Sequence, residues 1–200
     1  MIHLVDSGGQ YLDGTTDVTR AFHFGTPTAE EKEAYTRVLL GNLDLERLKW
    51  PAGRLTGAHI DVMARRHLWQ VGLDYMHGTG HGVGHFLSVH EGPVGISHLS
   101  QTILRDGMIV TNEPGYYKEG HFGIRIENML VVRCYNGWNR FEVLTLCPYD
   151  RNLIDLRMLT AADREHIDSY HQRVWDEVAP FLSGDNKTLS WLRSQTVSLV

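Results

Sequence analysis

The feature that most restricts the fold of this chain is a pair of aspartates inside strand-like sequence near its start. Asp6 and Asp17 stand eleven residues apart in DSGGQYLDGTTD, between the apolar run IHLV and the segment VTRAFHFG. Acidic residues are poor strand formers, so local preference does not explain them. The pattern predicts strands at residues 2–6 and about 10–24, joined by a turn at SGG, with both aspartates at buried positions.

The composition limits the class of protein. The chain has 200 residues, 42% hydrophobic and 22% charged, which suits one soluble domain with an appendage. Its formal net charge is -5 and it has no run of lysines or arginines, which argues against nucleic-acid and membrane partners. Neither a spanning apolar run of about 18 residues nor a signal peptide is visible, so we expect a cytoplasmic protein.

The two cysteines, Cys134 and Cys147, are too few to form a disulfide framework. They also lack the close spacing of a zinc ribbon. We therefore expect buried free thiols in a reducing compartment.

Four stretches of the sequence predict helices. A capping-box pattern at Thr28 begins the first helix, which Pro51 is expected to end, and a second helix is expected between Thr56 and Gly72. Thr160 with Asp163 three residues later predicts a third helix that runs to about residue 181, and NKTLSWLRSQT predicts a short final one.

Between these helices, residues 76–149 contain short apolar runs separated by glycines, which predict antiparallel strands and loops. The expected fold class is therefore α+β. We place the main domain at residues 1–150 and a helical C-terminal extension at residues 151–200.

A second unusual stretch is HGTGHGVGHFLSVHEG, which contains His77, His81, His85 and His90. Glycines at this density allow the backbone to approach another group closely or to adopt positive φ. The stretch is compatible with a metal site and also with a flexible loop that carries incidental histidines.

Two further segments carry single glutamates. Glu113 follows the apolar run MIV in TNEPGYY, so a strand would deliver it to a tight turn, although a surface glutamate at a strand end also fits. Glu127 lies in GIRIENMLVV, where strand alternation places it on the same face as Arg125. A buried Glu127 needs a compensating cation, and an ion pair with Arg125 is one alternative.

If these carboxylates and the His81 imidazole converge, the site has a formal charge of about -4. Two divalent ions would neutralise it. Oxygen-rich ligands suit manganese, with cobalt, zinc or iron as alternatives. Such a pair of ions activates water and polarises a carbonyl, which is hydrolytic chemistry.

The order of these residues resembles the metallopeptidases of the pita-bread fold, a group that includes methionine aminopeptidase, prolidase and X-Pro aminopeptidase. The segments DSGGQYLDGTTDVTR, HGTGHGVGHFLSVHEGP, NEPGYY and GIRIEN, with the tail LTLCPYDRNLID, are most similar to the long, three-domain X-Pro aminopeptidases. The resemblance implies a curved antiparallel sheet with flanking helices. It also implies that the catalytic domain lacks its N-terminal part here, so that the chain is a fragment or a short form.

The resemblance also assigns roles to individual residues. The implied metal ligands are Asp6, Asp17, His81, Glu113 and Glu127. Glu113 would in addition take the proton of a water that bridges the two ions. The implied catalytic and substrate-pocket residues are His77, His90 and Arg125, with His90 stabilising the tetrahedral intermediate. His85 has no role in the family and is interpreted as structural, and Asp13 as a turn residue or a partner of a ligand.

The implied activity is hydrolysis of the bond between an N-terminal residue and a following proline, on peptide substrates with proline in the second position. A prolidase that cleaves X-Pro dipeptides is the alternative within this class. A non-catalytic pita-bread module, or an inactive fragment, is the alternative outside it. The resembling enzymes often form homodimers, so a homodimer is a further expectation.

Overall fold

The protein is described by a computed structural model, which covers residues 1–199 of the chain. Antiparallel sheets with flanking helices make up this part, in agreement with the predicted α+β class. The strands are β1 Ile2–Tyr11, β2 Gly14–His23, β3 Lys49–Pro51, β4 Gly80–His81, β5 Gly95–Ile96, β6 Ile109–Asn112, β7 Gly115–Lys118, β8 Phe122–Arg125, β9 Asn128–Tyr135 and β10 Trp138–Val143. The α-helices are α1 Ala29–Glu46, α2 Gly57–Trp69, α3 Ala161–Val178 and α4 Asn186–Thr196.

The first two strands form a hairpin whose turn differs from the prediction. The turn lies at residues 12–13, and not at SGG, because the antiparallel ladder continues through the glycines, with Gly8 opposite Asp17. Asp13 lies in this turn, as one of its two interpretations predicted. The longer ladder places Asp6 opposite Thr19 and fixes which residues of β2 share a face.

The strands that follow α2 are joined into one framework. β3, β10, β9 and β6 form a four-stranded antiparallel sheet, and the pairs β4–β5 and β7–β8 form two-stranded sheets of their own. A single bridge between Gly82 and Val110 attaches β4 to β6, and the amide of Glu127 donates to the carbonyl of Thr19 at 3.0 Å. These links connect the N-terminal hairpin and the histidine segment to the central sheet.

Helix α1 packs across the sheet and organises the strand ends. Its predicted capping box is present, with the Glu31 amide donating to the Thr28 hydroxyl at 3.2 Å. Its buried Asn42 donates to the backbone carbonyls of Asn112 and Ile126, each one residue before a predicted site glutamate. The helix ends at Glu46 and not at Pro51, because residues 49–51 pair with β10 instead.

The C-terminal part of the chain is helical. Helix α3 begins after Thr160, as predicted, with a capping box between Thr160 and Asp163, and it gives way to a short 3₁₀ helix at Ala179–Leu182 that contains Pro180. Tyr170, His171 and Val174 of α3 are buried against the rest of the protein. The division at residue 150 stays a prediction.

The expectation of buried thiols is wrong. Both cysteines are free, but Cys134 is exposed and Cys147 is half-buried. Cys134 lies among the last three residues of β9, which extend beyond the buried part of the sheet. Among residues 1–199, no helix has both the length and the apolar character needed to cross a membrane.

Candidate metal centre

The five predicted ligand residues converge on one point of the structure. Among residues 1–199, three overlapping groups place ligand atoms within 4.8 Å of one another: Asp6, Asp17 and Glu127; His81, Glu113 and Glu127; and Asp17, His81 and His90. The hairpin contributes the aspartates, β4 contributes His81, and the glutamates follow β6 and β8. Glu127 belongs to two of the groups, so it lies between two candidate cation positions.

The glycines beside His81 allow this strand to approach neighbouring backbone closely. A Cβ atom at Gly80 would overlap the backbone carbonyl of Thr111, and one at Gly82 would overlap the carbonyl of Glu91. The close-approach interpretation of the glycine-rich stretch is therefore confirmed at these two positions.

The imidazole of His81 has a defined orientation. Its Nδ1 lies 2.9 Å from the Gly82 carbonyl oxygen, which can only accept, so Nδ1 carries a proton. Its Nε2 lies 3.4 Å from Asp17 Oδ2 and 3.3 Å from Glu113 Oε1. In the neutral ring, the Nε2 lone pair therefore points at two carboxylate oxygens. A cation between these atoms removes that repulsion, which is the arrangement of a metal site.

Glu127 is the most deeply buried of the candidate carboxylates, with only 2% of its surface exposed. Burial, followed by repulsion from Glu113, raises its pKa to about 7. The Thr19 hydroxyl donates to Glu127 Oε2 at 2.6 Å and partly opposes that rise. The chain thus supplies too little positive charge for this carboxylate.

Glu113 is held in a similar way. Burial raises the pKa of its carboxyl group, while His81, Thr111 and Arg125 act in the opposite direction. The Thr111 hydroxyl donates to Glu113 Oε1 at 3.0 Å, and the Glu113 amide donates to the Thr79 carbonyl at 2.7 Å. Both the backbone and the carboxylate of Glu113 are therefore fixed.

The two aspartates differ in exposure. Asp17 is buried, as predicted, but the Asp6 side chain is 56% exposed, so the prediction that both are buried is wrong for Asp6. Asp6 lies on β1, whose residues are mostly exposed. The Arg125 guanidinium donates to Asp6 Oδ2 at 2.6 Å and to the Thr19 hydroxyl at 3.0 Å. Arg125 therefore pairs with Asp6, and the alternative of a direct ion pair between Arg125 and Glu127 is wrong.

Arg125 also begins a directed chain of hydrogen bonds. It donates to the Tyr117 hydroxyl at 3.1 Å, and that hydroxyl lies 2.9 Å from His77 Nε2. His77 Nδ1 lies 2.8 Å from the Gly78 carbonyl and carries the proton, so Nε2 accepts from Tyr117. Burial lowers the pKa of His77, which favours this neutral form.

The remaining histidines of the glycine-rich stretch differ in position. The ring of His90 lies 4.1 Å from that of His81, centroid to centroid, at the mouth of the centre. His85 is exposed on the loop between them. The roles predicted for His77, His90 and Arg125 stay predictions, but all three side chains border the carboxylate cluster or contact residues that do.

Sequence reasoning missed Thr19, Thr111 and Tyr117 as site residues. Thr19 stands two residues after Asp17, and Thr111 stands two residues before Glu113, so strand alternation places each on the same face as its neighbour. That periodicity was the available signal. Tyr117 carried no comparable signal, because its contact with His77 crosses forty residues of chain.

The donor set as a whole fits divalent metal ions. Four carboxylates and one oriented imidazole face each other, while Arg125 is the one guanidinium within 4.0 Å of any of them among the described residues. Oxygen-rich sets of this kind suit hard or borderline divalent cations. The residues present therefore match a site for cations of this class.

Comparisons with known proteins agree with this geometry. The family model for metallopeptidase family M24 matches residues 1–133, and the model for the C-terminal region of peptidase M24 matches residues 137–199. A probable Xaa-Pro aminopeptidase P from Laccaria bicolor is 53% identical over 205 residues, which cover 97% of this chain and 32% of that protein. The chain thus spans about a third of the length of the curated relatives it matches.

Solved structures show the same fold. An X-prolyl aminopeptidase from Caenorhabditis elegans, described as a cytosolic enzyme with a di-nuclear active site, superposes with a TM-score of 0.94 at 39% identity, over 99% of this chain and 34% of that one. An Xaa-Pro dipeptidase from Bacillus anthracis superposes with a TM-score of 0.64 at 35% identity, over 74% of this chain and 39% of that one. The predicted pita-bread class is therefore confirmed, and the chain belongs to metallopeptidase family M24.

Proposed function

We propose that this chain carries the dinuclear metal centre of an aminopeptidase that releases an N-terminal residue preceding proline. The observation that carries the proposal is the orientation of His81, whose Nε2 faces the oxygens of Asp17 and Glu113 at 3.4 and 3.3 Å while its Nδ1 is bonded to the Gly82 carbonyl. The proposed ligands are Asp6, Asp17, His81, Glu113 and Glu127. When bound, two divalent ions would supply an activated water and polarise the scissile carbonyl.

The chain's own residues would handle the protons and the developing charge. Glu113 is the proposed general base, the role that the family resemblance implies for it, and burial raises the pKa of its carboxyl group. Its carboxylate is fixed by Thr111, so a proton would be accepted at a defined position. The base would then protonate the leaving proline nitrogen.

Three other residues would bind the substrate. His90, beside His81 at the mouth of the centre, would donate to the oxygen that gains negative charge during attack. His77 would contact the peptide in its neutral form, oriented by Tyr117. Arg125 would support the proline pocket and hold Asp6 and Tyr117 in place.

An aminopeptidase fits better than a prolidase because relatives that match nearly the whole chain carry that name. Relatives named Xaa-Pro aminopeptidase match 97–99% of this chain at 49–53% identity, whereas the B. anthracis dipeptidase matches 74% at 35% identity. The proposed substrates are peptides with proline in the second position. Manganese is the proposed metal, and we also propose a cytoplasmic homodimer as the working form.

The test compares X-Pro-Y tripeptides with X-Pro dipeptides, using the purified chain saturated with Mn²⁺. We expect tripeptide cleavage, and a loss of about 10²- to 10⁴-fold in kcat for Glu113→Gln, because general acid–base catalysis contributes on that order. Glu142→Gln is the matched control, since Glu142 is exposed on β10 and pairs with Arg133. Cleavage of dipeptides alone would identify a prolidase. Manganese binding without cleavage of either peptide would indicate a non-catalytic module.

A further inference from the structure

Two threonine hydroxyls at the metal centre have the same bonding pattern. The Thr19 hydroxyl accepts from Arg125 Nε at 3.0 Å and donates to Glu127 Oε2 at 2.6 Å. The Thr111 hydroxyl accepts from the His81 amide at 3.0 Å and donates to Glu113 Oε1 at 3.0 Å. Both threonines are completely buried.

This pattern leaves each hydroxyl proton a single direction. A hydroxyl has one proton to donate, and the N–H donor beside it occupies a lone pair of its oxygen. The proton must therefore point at the glutamate, and a hydrogen bond to an ionised carboxylate is among the stronger ones. Each hydroxyl thereby fixes the rotation of one glutamate carboxylate.

We propose that Thr19 and Thr111 are positioning residues that set the carboxylate orientation of Glu127 and Glu113 for metal binding. This inference rests on the proposed metal centre. The two threonines differ in the number of cation positions that their glutamates serve. Glu127 belongs to both the aspartate group and the His81 group, so Thr19 acts on two cation positions. Thr111 joins His81 to Glu113, so it acts on one.

Thr36 offers a matched control outside the centre. It is also completely buried, and its hydroxyl accepts from the Asp155 amide at 2.9 Å and donates to the Lys32 carbonyl at 2.7 Å. The bonding pattern is the same, but the acceptor is a backbone carbonyl of α1. A purely structural role for buried threonine hydroxyls would make all three positions equivalent.

The experiment is calorimetric titration of the metal-free chain with Mn²⁺, for the wild type and for valine and serine variants at each threonine. Valine keeps the shape and removes the hydroxyl, and serine restores the hydroxyl. We expect Thr19→Val to weaken both Mn²⁺ affinities by about 10- to 100-fold, the range for residues that orient metal ligands. Thr111→Val should weaken one affinity by a similar factor, and both serine variants should bind close to wild type.

Thermal unfolding of the metal-free variants separates orientation from simple destabilisation. We expect Thr36→Val to lower the melting temperature as much as the other valine variants while binding Mn²⁺ as the wild type does. Unchanged Mn²⁺ affinities in Thr19→Val and Thr111→Val would overturn this inference alone. A wild-type chain that binds no Mn²⁺ would overturn the proposed metal centre and this inference with it.

Discussion

The two faces of strand β2 bury charges of opposite sign, and they differ in how far neighbouring groups compensate those charges. Asp17 and Thr19 face the metal centre, while Arg20, between Thr19 and Ala21, faces the other side of the strand. On the first face, carboxylates are buried with too little positive charge. On the second face, a guanidinium is buried with no carboxylate beside it. Alternate residues of one strand form the two faces, so each buried charge is stabilised by whatever packs against its own side of β2.

The Arg20 face is satisfied by neutral groups. Arg20 is 2% exposed, and it forms no salt bridge with a carboxylate in residues 1–199. Its guanidinium donates to the Glu127 carbonyl at 2.6 Å, the Thr19 carbonyl at 2.9 Å and the Cys147 carbonyl at 2.7 Å. It also lies over the Tyr149 ring, 4.9 Å from the centroid.

Fixed dipoles are enough to stabilise the buried cation of Arg20, whereas the buried carboxylates of the metal centre lack comparable compensation. All five guanidinium donors are directed at oxygen atoms, so Arg20 needs no further ion. On the metal-centre face, the pKa of Glu127 is raised, and a bound cation would lower it. Arg20 donates to the backbone carbonyls of both Thr19 and Glu127. It therefore also fixes the positions of these two residues of the metal centre relative to each other.

The largest expected effect comes from removing the guanidinium. Arg20→Met should lower the free energy of unfolding by about 3–5 kcal/mol, as for other broken buried charge networks, because it leaves several buried carbonyls without donors. Urea unfolding of the metal-free chain measures this loss. Arg133→Met is the control, since Arg133 is half-exposed and its pair with Glu142 should contribute less than about 1 kcal/mol. Equal losses in the two variants would contradict the comparison.

A second effect, of about 3 kcal/mol, is expected from acidification at His171, on the Arg20 side. His171 accepts from the Tyr149 amide at 3.1 Å, and burial, reinforced by Arg151 and Arg20 and opposed by Asp168, lowers its pKa from 6.5 to about 4. The folded protein therefore binds this proton more weakly than the unfolded chain. The stability contribution is complete above pH 6.5 and is lost as the pH falls towards 4.

Comparison with His171→Gln isolates this contribution, because the variant has no imidazole to titrate. Between pH 7 and pH 4, the wild type should lose about 3 kcal/mol more of its unfolding free energy than the variant does. Denaturant unfolding at several pH values measures the difference. Parallel pH profiles for the two proteins would show that His171 is not held neutral by its surroundings.

The smallest expected effect has the opposite sign and lies on the metal face. Glu127→Gln should raise the stability of the metal-free chain at pH 8 by about 1 kcal/mol, because ionised Glu127 is buried beside other carboxylates. Glu46→Gln is the matched control: Glu46 is also buried, but its carboxylate is paired with His166 at 2.8 Å, so its removal should destabilise the chain. A loss of stability in both variants would show that the metal face is already balanced without a cation.

Much of the fold follows from local pattern. The capping boxes at Thr28 and Thr160 were predictable because they involve side chains three residues apart, and the structure contains both. The close approach at Gly80 was predictable because only glycine allows it. The set of five candidate ligands was implied by the resemblance to the pita-bread metallopeptidases, and their convergence was a condition that the sequence alone did not establish.

Other features required the tertiary structure. The hairpin turn lies at residues 12–13 and not at the predicted SGG, and Asp6 is exposed. Arg125 donates to Asp6 and Thr19 and not to Glu127. These outcomes depend on which strands lie beside one another, and strand pairing is not encoded by local periodicity.

The sequence by itself determined which chemical groups the site contains, because residue types and their order along the chain, which resemble those of the pita-bread metallopeptidases, need no three-dimensional information. Only the tertiary structure decided how each group is oriented and which buried charges are compensated. The Thr19–Glu127 bond joins residues 108 positions apart, and the Arg20 bonds to residues 127 and 147 span similar distances. Such contacts form only when the whole chain has folded, because no local interaction brings their partners together.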